Sequence, residues 1–86
     1  MTNEKDNFLL KYGSSIHIDK IISRNDRYLN GKIAKEIPEK HDVLINHSDP
    51  YVRVAVASNC NKNHLDKLSN DKNYFVRQEI KNRNNN

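Results

Sequence analysis

Apolar positions along this chain recur at three- and four-residue steps rather than at every second residue. Val52, Ala55 and Val56 make one stripe, and Leu29, Ile33 and Ile37 another, which is the spacing of helices with one buried face. Strands would alternate by two, so the pattern predicts an all-α protein. Ahead of the clearer stripe, Ser48 or Asp49 supplies an N-cap oxygen and Pro50 suits the first helical turn; after it, Asn59-Cys60-Asn61 ends the helix. Phe8, Leu9, Leu10 and Tyr12 before Gly13 predict an N-terminal capping helix over 4–12, and Asn84 to Asn86 read as a frayed, disordered tail. Each predicted helix is too short to persist alone, so neighbours have to supply its stabilising contacts.

The stripes repeat. An offset of 24 lays Tyr51-Val52-Arg53 over Phe75-Val76-Arg77 and puts Leu44 on Leu68, Asp42 on Asp66 and Asn46 on Asn70. Backwards, an offset of 23 puts Tyr28 on Tyr51, Leu29 on Val52, Ile33 on Val56 and Ala34 on Ala57. An offset of 47 aligns Ile18-Asp19-Lys20-Ile21 with Leu65-Asp66-Lys67-Leu68. Three units follow, over 17–40, 41–63 and 64–83, each a short leucine- or isoleucine-bearing segment, a polar loop and a longer apolar-striped segment. Self-similarity at a fixed period is the sequence mark of a solenoid.

The string Asp49-Pro50-Tyr51-Val52-Arg53-Val54-Ala55-Val56-Ala57-Ser58-Asn59, followed by Leu65 and Leu68, resembles the repeat of the leucine-rich repeat variant and the wider HEAT-like group. The resemblance covers about residues 17–83 and implies a right-handed superhelix of paired helices, one of each pair short and often of the 3₁₀ type. The expected fold is thus a short right-handed α-solenoid of three helix-pair repeats, in one domain, 1–86, with an N-terminal cap. Two positions depart from the family pattern: Cys60 stands where proline is usual, and Asn30 replaces the arginine found at Arg53 and Arg77. In the last unit Gln78, Glu79 and Lys81 replace Val54, Ala55 and Ala57, which suits a terminal repeat whose outer face meets water.

With 86 residues, 35% of them hydrophobic and none tryptophan, the chain has material for a thin core and little for a deep catalytic cavity. It carries a formal charge of +4, which favours an acidic or nucleic-acid-associated partner. Cys60 is the single cysteine, so no internal disulfide forms and a reducing cytoplasm is the expected setting. No apolar run suits a signal peptide or membrane span, and no membrane contact is expected.

Candidate chemistry is sparse. His17, His41 and His64 recur once per unit, but packed helices sit about 8–10 Å apart, too far for the ~2 Å bonds of a shared metal ion; helix-start or solvent-facing roles are expected instead. No glycine-rich phosphate loop, nucleophile elbow or convergent carboxylate pair is present. The expectation is a non-enzyme without cofactor or metal.

Two binding readings remain. In the first, the chain covers a protein surface as an adaptor or inhibitor, using Tyr28, Tyr51, Arg53 and Arg77, as small inhibitors encoded by phages or mobile elements do against host defence nucleases. In the second, it binds nucleic acid through a basic face centred on Arg24 and Arg27 and extended by Lys32, Lys35, Arg53, Lys62, Lys67, Lys72, Arg77, Lys81 and Arg83. Eleven acidic residues interleaved with these bases weigh against the second. Arg53 also has a structural alternative, an arginine–carboxylate ladder with Asp49 or Asp71. Tyr28, Tyr51 and Phe75 form a repeated column expected at the edge of the core, half covered. The chain is expected as a monomer or a small homo-oligomer.

Overall fold

A side-chain acceptor just before a helix satisfies N–H groups of its first turn, and this chain places one before most of its helices. The computed structural model describes residues 4–84. In order these form α1 (Glu4–Tyr12), α2 (Ser15–Ser23), α3 (Arg27–Glu36), a 3₁₀ turn (Pro38–Lys40) running into α4 (His41–Leu44), α5 (Pro50–Asn59), α6 (Lys62–Ser69) and α7 (Tyr74–Asn84). Among the described residues there are helices and no strands. Of the expected tail at 84–86, Asn84 ends α7 and the other two residues lie outside the described ones.

Ser14 caps α2 in a reciprocal box with His17, whose ring accepts from the Ser14 N–H. Asp26 accepts the N–H of Tyr28 and Leu29, Asp49 that of Tyr51, Asn61 that of Asn63, and Asn73 those of Phe75 and Val76. Asp49 rather than Ser48 is therefore the cap before Pro50. Helix α3 stops at Glu36, one residue short of Ile37, because the proline at 38 disfavours a helical residue before it. Asn25, at φ 59, takes the left-handed turn that ends α2. Gly13 closes α1: a Cβ there would meet the Leu9 carbonyl oxygen at 2.4 Å.

Helix α3 packs on α5 and α5 on α7, while α1 lies on α2 and α6 on α7. The result is an elongated body of 37 × 19 × 19 Å. Among the described residues one core runs from Ile18, Ile21 and Ile22 through Leu29, Ile33 and Leu44 to Val52, Val56, Leu68, Val76 and Ile80, with Leu9 and Leu10 of α1 partly buried against it. All three residue pairs aligned by the offsets, Leu29 and Ile33, Val52 and Val56, Val76 and Ile80, are buried. Each such side chain contributes about 1.5–3 kcal/mol, which is what lets helices of eight to eleven residues persist.

Candidate interaction face

Three helices begin the same way, and this puts three rings on one ridge. Tyr28, Tyr51 and Phe75 each stand two residues after the capping side chain of α3, α5 and α7, and one residue before the buried Leu29, Val52 and Val76. At the second helical position the side chain points away from the packed stripe, and the rings are 73%, 57% and 64% exposed. They are more open than the half-covered edge position expected of them, because the second helical position aims them off the packed stripe. Between Tyr51 and Phe75 a small pocket of about 120 Å³ is lined by Pro50, Val54 and Asn73. It continues along Gln78, Glu79 and Asn82.

Arg27 belongs to this ridge. Its guanidinium lies over the Tyr51 ring, 4.0 Å from the centroid, while its Nε donates to Asp49 Oδ2 at 2.9 Å. That hydrogen bond raises the Arg27 pKa further and is the main cause holding the Asp49 carboxyl below its ordinary range. Asp49 thus caps α5 and ties α3 to it. Arg24 is half exposed and donates to Asp6 Oδ1 at 3.0 Å, joining α1 to the end of α2.

Arg53 lies elsewhere: it is 6% exposed, so it offers no contact area to a partner. Its Nε and Nη2 grip Asp71 at 2.8 and 3.2 Å, and Nη1 donates to the His47 and Ser48 carbonyls. Burial pushes the Asp71 carboxyl up, but the Arg53 fork and the Asn73 N–H outweigh it and hold the group below its ordinary value. The position aligned with Arg53 is Asn30 and the one aligned with Asp71 is His47, and these two also meet, Nδ2 to Nε2 at 3.2 Å. Asn30 is fully buried, and its Oδ1 has no hydrogen-bond partner among the described residues. Arg77 repeats one half of the Arg53 arrangement, Nη1 donating to the Asp71 carbonyl at 2.7 Å, and is exposed.

The histidine column splits, with His41 and His64 meeting edge to face at a ring-centroid distance of 6.4 Å. His17 is exposed in its capping box, His64 donates toward Asp42 at 3.0 Å, and His41, at the start of α4, is buried with Nε2 2.6 Å from the Ala34 carbonyl oxygen. His41 is therefore not solvent-facing, because the carbonyl at the end of the α3 stripe gives its ring a buried partner. Among the described residues no group of three or more histidine, cysteine, aspartate or glutamate side chains is placed to hold a metal ion. Lys40, which no spacing singled out, is nearly buried and bonds Ser15 and Asp19. Cys60 is buried beneath Arg83, whose Nη1 donates to the Ala57 carbonyl. Among the described residues no helix is long and apolar enough to cross a membrane. Comparison with protein-family models, curated proteins and solved structures finds no match to this chain.

Proposed function

We infer that the chain is a short right-handed α-solenoid of three helix-pair repeats behind a capping helix, akin to the leucine-rich repeat variant and HEAT-like group. It works as a cytoplasmic, non-catalytic protein-binding module, an adaptor or inhibitor of the kind phages and mobile elements direct at host nucleases. The observation that carries the binding reading is the ridge of Tyr28, Tyr51 and Phe75, three exposed rings in line beside a shallow groove. Exposed aromatic rings with an adjacent arginine are the usual anchors of protein interfaces. The repeat reading is supported by the shared capping at Asp26, Asp49 and Asn73 and by the aligned pairs Asn30–His47 and Arg53–Asp71.

A phosphate-binding reading is weaker, because Arg24, Arg27, Lys32 and Arg53 already hold carboxylates of this chain. The test is photocrosslinking from a benzophenone amino acid at Tyr28, Tyr51 or Phe75, with Lys20 as the off-ridge control, in native host lysate with and without nuclease. One protein crosslinked from the ridge positions alone, unaffected by nuclease, is the expected result. Crosslinks that vanish with nuclease would transfer the function to nucleic-acid binding, and equal labelling from Lys20 would remove the ridge from the interface.

A further inference from the structure

Two arginines of this chain are built alike, and only one of them is filled. Arg53 and Arg77 occupy the same helical position in α5 and α7, and each anchors Nη1 on the backbone carbonyl six residues earlier, at 2.6 Å on His47 and 2.7 Å on Asp71. That anchor holds one corner of the guanidinium and leaves Nε and Nη2 for other acceptors. At Arg53 these two nitrogens hold Asp71 in a two-point grip. At Arg77 no carboxylate among the described residues reaches them, and the side chain is exposed.

The face around Arg77 has matching chemistry. Helix α5 packs on α7, and the residues of α7 aligned with Val54, Ala57 and Arg53 of α5 are Gln78, Lys81 and Arg77, with the 58% exposed ring of Tyr74 beside them. Tyr74, Arg77, Gln78 and Lys81 follow three- and four-residue steps, so they share one side of the helix. The side is polar and carries two cations and no acid. We propose that this side of α7 is a docking site for an acidic segment of another protein, whose leading aspartate or glutamate enters the Arg77 fork as Asp71 enters that of Arg53.

The occupant is a different polypeptide rather than a second copy stacked head to tail. The residue aligned with His47 and Asp71 at the other end of the chain is Arg24, which would be set against Arg77. A carboxylate on a loop is also the ligand this geometry already accepts one junction earlier. Gln78 also borders the groove beside Tyr51 and Phe75, so the site adjoins the aromatic ridge, and variants at Arg77 and Tyr51 tell the two apart.

The experiment pans a random 16-residue peptide library displayed on phage against the immobilised full chain, with Arg77→Gln, Arg77→Lys and Tyr51→Ala panned in parallel. Peptides enriched on the wild type are expected to carry aspartate or glutamate. They should lose about tenfold or more of their binding on Arg77→Gln and on replacement of that acid by its amide. Arg77→Lys, which keeps the charge and loses the fork, should restore only part of it, and Tyr51→Ala should leave it intact. Unchanged helical circular dichroism in Arg77→Gln is expected from the exposure of the side chain. The proposal is overturned if no acidic peptide emerges, if acidic peptides bind Arg77→Gln equally, or if single-stranded oligothymidylate binds at Arg77 more tightly than any of them.

Discussion

Replacing Arg53 by methionine tests whether this residue holds the fold rather than a partner. The substitution keeps most of the apolar stem and removes the fork, leaving Asp71 at 10% side-chain exposure with the Asn73 N–H as the remaining partner of its side chain among the described residues, and orphaning the His47 carbonyl. Breaking a buried pair by deleting one partner costs about 3–5 kcal/mol. Because the cleft bounded by Asn46, Lys67 and Lys72 admits water to Asp71, about 2–3 kcal/mol is the better figure here. A domain of this length holds about 4–13 kcal/mol in all, so the midpoint of thermal unfolding should fall by roughly 10–20 °C. The pH dependence has a definite sign. Asp71 is held below its ordinary carboxylate value in the fold, so its contribution is present above the unfolded value and is lost as pH falls through the folded one. The gap between Arg53→Met and wild type should therefore narrow toward pH 3. Urea denaturation followed by circular dichroism at pH 7 and pH 3 measures both terms. A variant within about 0.5 kcal/mol of wild type at pH 7, or a gap equal at the two pH values, would refute the reasoning.

Other expectations follow from the same contacts. Val52→Asp or Val56→Asp, each at a side chain with no exposure, should abolish the cooperative helical signal by burying an unpaired charge; a full circular dichroism spectrum in either would displace the register of the stripes. Installing the second junction's pair at the first, Asn30→Arg with His47→Asp, should couple favourably by about 1–3 kcal/mol relative to the two single variants; additive effects in a double-mutant cycle would mean the junctions are not equivalent. Asp26→Ala removes an oxygen that accepts two N–H groups and should cost about 1 kcal/mol, read from the urea midpoint, with no loss of helix elsewhere.

Much of the local structure was written in single side chains and their spacing. The stripe of Val52 and Val56, the cap at Asp49 and the proline at 50 all act within one helical turn of themselves, and α5 forms where they place it. The offsets worked for the same reason, since aligned residues meet aligned neighbours. Ile37 and the exact extent of α3 were less legible, because a proline just beyond the stripe competes with the stripe's own signal.

The sequence by itself determined which residues are helical, which face of each helix is apolar, and that aromatic and arginine columns exist, because periodicity and capping are short-range properties. Only the tertiary structure decided how those columns are used. Asp49 stands four residues before Arg53, yet its carboxylate holds Arg27 of the neighbouring helix, and Arg53 reaches forward to Asp71. His41 and Lys40 are covered while Tyr28 is not. Such choices depend on which group an adjacent helix brings within about 3 Å, and spacing along one chain carries no record of that distance.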